Sequence, residues 1–216
     1  MLSSIPENAQ TLLEAGGWVV IILGLMSVMA LTIAVFKTLQ FQMLRLGSVS
    51  FVSDAIDTYQ RGDIDQAIDR VKSSRNPAAQ TVSLALTGRR DGVPDEVSRE
   101  AILTSGRGAL NELRHWLHPL EVIAALAPLL GLFGTVLGMI EAFQQLQLAG
   151  NRVDPSILSG GIWKALITTA LGLAVAMPTL VASQWLSRRV DRLGQQMENL
   201  VGRVFAPSRT PDASNT

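Results

Sequence analysis

Three uncharged apolar stretches constrain this chain more than any other feature. They are "GWVVIILGLMSVMALTIAVF" at 17–36, "VIAALAPLLGLFGTVLGMI" at 122–140 and "ALITTALGLAVAMPTLVASQW" at 165–185. Each approaches the ~20 residues with which a helix crosses about 30 Å of hydrocarbon. Lipid offers no partner to a free N–H or C=O, so each stretch is expected as a helix rather than a strand. The alternative, buried helices of a water-soluble bundle, fits poorly with runs this long and this free of charge.

Composition points the same way. Only 17% of the residues are charged and 48% are hydrophobic, where soluble domains carry about 25% charge. There is no cysteine, which removes disulfides, thiolate chemistry and most zinc sites. The formal net charge is +0, so no nucleic-acid partner is expected. The segment ahead of the first run holds Glu7 and Glu14 and no lysine or arginine. A cleaved leader would need a basic start and a short apolar core, so the first run is expected to be retained.

Lysine and arginine set the orientation. Lys37 and Arg45 follow the first run, Arg107 and Arg114 precede the second, and Arg188, Arg189 and Arg192 follow the third. The leader has none, and the turn between the second and third runs has Arg152 alone. The expected layout is an extracytoplasmic segment at 1–16, spans at 17–36, 120–143 and 162–187, and a cytoplasmic helical region at 37–119. A short periplasmic connection at 144–161, a cytoplasmic helix at 188–205 and a disordered tail at 206–216 complete it. Trp18, Trp163 and Trp185 stand at span ends, as interfacial aromatics do. The fold class is therefore all-α: three transmembrane helices whose long extensions form a cytoplasmic helical bundle, with membrane lipid as an unavoidable partner.

Inside 37–119, Gly62-Asp63 and Asn76-Pro77 punctuate short amphipathic helices. Pro94, followed by Asp95 and Glu96, has the form of a helix start with dipole-favoured acids. Helix is expected to continue from there into the second run with a kink at Pro119. After the third run, Val190, Leu193, Met197, Leu200 and Val204 repeat at alternating three and four, the seam of a helix packed on other helices.

Within the spans, Gly131, Gly134 and Gly138 share a helix face, and Gly172 with Ala165 and Ala176 marks the third span. Small residues so spaced let helices approach closely, and Pro128 and Pro178 are grouped with them as packing positions. Thr168, Thr169 and Thr179 are the polar groups deep in the third span, with Ser183 and Gln184 near its inner end. Membrane threonines often bond to the carbonyl one turn back.

These residues carry a resemblance. "LEVIAALAPLLGLFGTVLGMIEAF" followed by "GGIWKALITTALGLAVAMP" resembles the core of the MotA/TolQ/ExbB proton-channel family, on the ExbB/TolQ side. The resemblance implies a pentameric homo-oligomer in the bacterial inner membrane, with its N-terminus periplasmic and its C-terminus cytoplasmic. The ring would surround an ExbD- or TolR-like single-span subunit bearing an intramembrane aspartate. It would act through a TonB- or TolA-like transducer on the outer membrane. Carried over by position, the family's pore threonines fall on Thr135 and Thr169. No carboxylate lies deep in any of the three runs, since Glu121 and Glu141 flank the second. A proton pathway normally needs such a group, and in this family the partner supplies it. No cofactor is implied.

Lys164 departs from the family pattern, in which most relatives carry a glutamate. Three readings are open: the ammonium snorkels to the outer interface, it pairs with a carboxylate of the partner on a face shared with Thr168, or it alters conductance. Restoring the pattern with Lys164→Glu is expected to retain or improve function. A non-conducting scaffold subunit is the second function class. An enzyme is not expected, because no paired carboxylates, cysteine or intramembrane histidine offer a base or nucleophile. His115 and His118 suit anchoring at the inner interface better than metal binding.

Overall fold

The computed structural model describes residues 7–44, 49–149 and 155–206. These form seven helices and no strand: α1 (Glu7–Met43), α2 (Ser50–Gln60), α3 (Ile64–Lys72), α4 (Pro77–Arg90), α5 (Asp95–His115), α6 (His118–Ala149) and α7 (Pro155–Phe205). Three helices are long and apolar enough to cross a membrane, and they carry the three runs. The chain divides into two compact units. Unit 1 comprises Met1–Phe36 and Trp116–Trp185, and unit 2 comprises Lys37–His115 and Leu186–Thr216.

In unit 1, Val19 and Leu23 of α1 pack with Ala127 of α6 and Ala176 of α7, with Met26, Leu130, Leu137, Leu171 and Val175 around them. The opposite faces are apolar and bare: Leu25, Val28 and Leu31 on α1, Leu132 and Val136 on α6, and Leu166, Met177 and Val181 on α7 are all exposed. Water would penalise such a surface, whereas lipid or neighbouring subunits cover it without cost. α1 bends at Gly17, whose φ of 57° lies in the left-handed region where glycine is the residue of choice.

Unit 2 is built from α2–α5 with the ends of α1 and α7, each of α2–α5 packing on the next. Its helix boundaries follow local chemistry. Asn76 caps α4, its side chain accepting from the Ala78 N–H at 2.9 Å, and Pro77 takes the first turn, where its missing N–H costs nothing. Asp63 caps α3 through the Gln66 N–H at 3.0 Å. Pro94 O accepts from the Ser98 N–H at 3.0 Å and so opens α5. Lys37 is 1% exposed, donating to Gln40 Oε1 at 2.9 Å and to Leu113 O at 3.2 Å. That carbonyl is among the last four of α5, which have no partner within the helix.

The buried positions of α7 form one stripe: Ala165, Thr168, Gly172, Ala176, Thr179 and Ser183, then Leu186, Val190, Leu193, Met197, Leu200 and Val204. Steps of three and four hold throughout, but residue size changes where unit 1 gives way to unit 2. Between spans, small residues permit close packing by van der Waals contact. Outside them, large side chains supply the apolar burial that water rewards.

Two expectations need correction. The chain does not kink at Pro119 within a helix: α5 ends at His115 and α6 starts at His118, so Pro119 sits in a first turn and breaks no bond. The connection expected at 144–161 is largely helical, because α6 runs to Ala149 and α7 begins at Pro155. All of the expected N-terminal segment at 1–16, and the expected tail from 207 to 216, lie outside the residues whose side chains are described.

Candidate functional site: the seam between α6 and α7

α6 and α7 run antiparallel and touch along a line of small residues. A Cβ placed on Gly172 would lie 2.6 Å from Ala127 O and 3.1 Å from Gly131 Cα. One on Gly131 would meet Thr168 O at 2.9 Å and Thr169 Cα at 3.0 Å. At Gly134 the obstacle is Thr168 Cβ at 2.7 Å, and at Gly138 it is Ala165 Cβ at 3.2 Å. Backbone meets backbone at the Gly131–Gly172 crossing, so no side-chain rotation could relieve a substituent there. Pro128 and Pro178 lie inside α6 and α7, each removing one N–H from the helix ladder.

The close approach brings polar groups together. Thr168 is 2% exposed; its hydroxyl lies 2.7 Å from Ala165 O and 3.3 Å from Gly131 O. Thr169 donates to the same Gly131 O at 3.1 Å. Neighbours on α7 project about 100° apart, and the two threonines straddle one α6 carbonyl. Thr135 instead bonds within its own helix, to Leu132 O at 2.6 Å. Thr179 does likewise to Val175 O at 2.7 Å. Ser183 Oγ is buried with no hydrogen-bond partner among the described residues.

Lys164 meets a carboxylate of its own chain: Nζ lies 3.0 Å from Glu141 Oε2. Glu141, Lys164 and Thr168 line a cavity of about 110 Å³ with Gly134, Gly138 and Trp18. That volume is several times what one water requires. Trp18 also packs edge-on to Phe133 with ring centroids 6.0 Å apart. A larger cavity of about 270 Å³ in unit 2, between α5 and α7, includes Arg99, Arg107, Met197 and Glu198 and none of the pore or span-packing residues expected from the sequence.

Thr168, Thr169, Gly131, Gly134, Gly138, Gly172 and Lys164 therefore converge on one seam, whereas Thr135 does not join its hydrogen bonds. Sequence reasoning missed Glu141 as a member. Its membership depends on register, which the sequence does not supply: with Gly131 opposite Gly172, the antiparallel helices bring Ala142 to Gly161 and Glu141 to within reach of Lys164. His118 Nδ1 lies 3.6 Å from Glu121 Oε2, and no group of three metal-ligating side chains occurs among the described residues.

Among the described residues, three membrane-length apolar helices and a glycine-lined, threonine-bearing seam define an all-helical membrane protein. Its family follows from sequence comparison: residues 65–199 match the model of the MotA/TolQ/ExbB proton channel family, and the chain belongs to that family. It is 38% identical over 99 residues to the biopolymer transport protein exbB1 of Vibrio cholerae, covering 44% of this chain and 43% of that protein. A putative ExbB homolog of Methanothermobacter thermautotrophicus is 30% identical over 150 residues, or 68% and 51% of the two chains. With the putative biopolymer transport protein ExbB-like 1 of Synechocystis, identity is 34% over 205 residues, or 91% and 80%. The match thus spans about half the length of the first two relatives and most of the third.

Proposed function

We propose that this chain is the ring-forming subunit of a proton-driven motor in a bacterial inner membrane, of the ExbB/TolQ kind. It would couple the proton gradient to work on the outer membrane, such as TonB-dependent transport. The reading rests on one observation above the others: two threonines of α7 converge on the Gly131 carbonyl in a membrane seam. Hydroxyls and a carbonyl can order water and relay a proton, but they do not titrate. The described apolar stretches supply no acid in their interior, so a second chain must bring the carboxylate that protons load and leave.

In this mechanism the chain binds no cofactor and performs no covalent chemistry. Copies assemble into a ring, a pentamer by resemblance, with the half-buried Thr169 towards its axis, Thr168 behind it in the seam, and the bare faces of the spans against lipid or neighbouring copies. Thr135 is included on family grounds as a pore position. An ExbD- or TolR-like single-span subunit occupies the axis and presents its aspartate to the threonines. Protonation neutralises the aspartate so that the helix can turn, and a TonB- or TolA-like transducer carries the motion outward. The spans and termini take the orientation set by the arginines and lysines, with the N-terminus periplasmic and the C-terminus cytoplasmic.

Native mass spectrometry of the complex extracted from its host's membranes tests this assembly. Five copies holding one or two single-span subunits with an intramembrane aspartate support the motor. A complex without any such subunit would leave a structural scaffold as the function.

A further inference from the structure

The seam fixes a charge pair near one end of the two spans. Glu141 projects from α6 and Lys164 from α7, with Oε2 and Nζ 3.0 Å apart. Their register does not depend on long side chains finding one another. Just inside the pair a Cβ on Gly138 would crowd Ala165 Cβ at 3.2 Å, and just outside it a Cβ on Gly161 would clash with Ala142 Cβ, so at both crossings the helices sit as close as glycine allows. These contacts hold the two backbones at fixed separation, leaving the ammonium about the right reach to cross from α7 to α6. The pair forms part of the lining of the cavity that also contains Thr168, so its charge state bears on whatever enters there.

We propose that Glu141 is a positioning residue for Lys164: its carboxylate draws the ammonium across the seam and cancels its charge within the same subunit. A ring of copies then presents zero net charge at the outer end of the threonine pathway. Five unpaired lysines would raise a positive potential against an incoming proton. With the counter-ion in cis, the axial partner needs no acid at this level to meet Lys164. The partner's carboxylate remains free for the threonines. The bearing on proton flow rests on the motor reading above, whereas the pair itself does not.

The pair also reverses an expectation drawn from the family pattern. Lys164→Glu, expected from the resemblance to retain or improve function, would here set a second carboxylate against Glu141 and is expected to be damaging. An inverted pair, Glu141→Lys with Lys164→Glu, keeps the attraction and is expected to rescue it.

Thermal melting of the purified complex in detergent tests the pair without reference to transport. The variants are Glu141→Gln, Lys164→Glu and the double inversion. Lys164→Glu should lower the midpoint by about 2–4 °C or more, and the inversion should recover most of that loss. A second readout is disulfide formation between cysteines placed at Gly138 and Ala165, positions whose Cβ atoms would stand 3.2 Å apart. Lys164→Glu should slow it, and the inversion should restore it. Proton flux in proteoliposomes should fall for Glu141→Gln and recover in the inversion. Lys164→Glu melting at or above the parent, or an inversion no better than Lys164→Glu, overturns the pair. Rescue of melting and cross-linking without flux in any sample, parent included, keeps the pair and removes the motor reading instead.

Discussion

Gly172→Ala adds a single methyl group at the point where α6 and α7 come closest. The new Cβ would lie 2.6 Å from Ala127 O, 3.1 Å from Gly131 Cα and 3.3 Å from Gly131 N. Carbon and oxygen ordinarily approach no nearer than about 3.3 Å, so the helices must part by about 0.7 Å. All three obstacles are backbone atoms, which leaves no rotamer to absorb the change. Overpacking of this kind costs about 1–3 kcal/mol. Separation also lengthens the Thr168 and Thr169 contacts to Gly131 O, now 3.3 and 3.1 Å, at about 0.6 kcal/mol each in a membrane setting. Against this stands the helix preference for alanine over glycine, about 1 kcal/mol. The net loss is about 1–3 kcal/mol, or a fall in melting midpoint of roughly 2–12 °C for a chain of this size. Gly24→Ala is the control, since nothing lies within 4 Å of a Cβ there; it should leave the midpoint unchanged or raise it. Circular dichroism melts in detergent read both. Equal or higher midpoints for both variants would refute the account of the seam.

Other perturbations separate structure from transport. Lys37→Met removes the donor to Leu113 O at the end of α5, and an unsatisfied buried acceptor should cost about 1–3 kcal/mol in the same melts. Thr168→Val keeps the shape of the side chain but removes its hydroxyl from Ala165 O and Gly131 O. It should change the midpoint by only a few degrees while lowering proton flux well beyond what that loss of folded protein explains. Arg114→Ala breaks a 2.6 Å contact with Asp191 between side chains that are each about half exposed. It should cost no more than about 1 kcal/mol, and less in high salt.

Much of the architecture could be read from the sequence because its causes are local. Uncharged length marks a membrane helix, and Asn76-Pro77, Gly62-Asp63 and Pro94 mark helix ends through their own backbone chemistry. The three-and-four stripe from Val190 to Val204 is periodic and so visible without a partner. Pro119 misled because a proline can either bend a helix or begin one, and only the neighbouring break at residues 116–117 distinguishes the two. The seam was visible in part: glycine spacing gave the packing face of each helix but not the register between them. Register decides that Thr168 and Thr169 reach one carbonyl. It also decides that Lys164 meets Glu141, a residue 23 positions away on a different helix. Lys37 illustrates the same limit, since nothing near it in sequence reveals that Leu113 O, 76 residues on, is its acceptor.

The most direct test of the central claim is proton flux in proteoliposomes of defined content. One sample holds this chain alone, a second holds it with the proposed single-span subunit, and a third replaces that subunit's intramembrane aspartate with asparagine. On this proposal flux is expected from the second sample alone, because the chain's threonines would order a path and only the single-span subunit would bring the group that titrates. Equal flux from the chain alone, or undiminished flux after the aspartate is replaced, would contradict it.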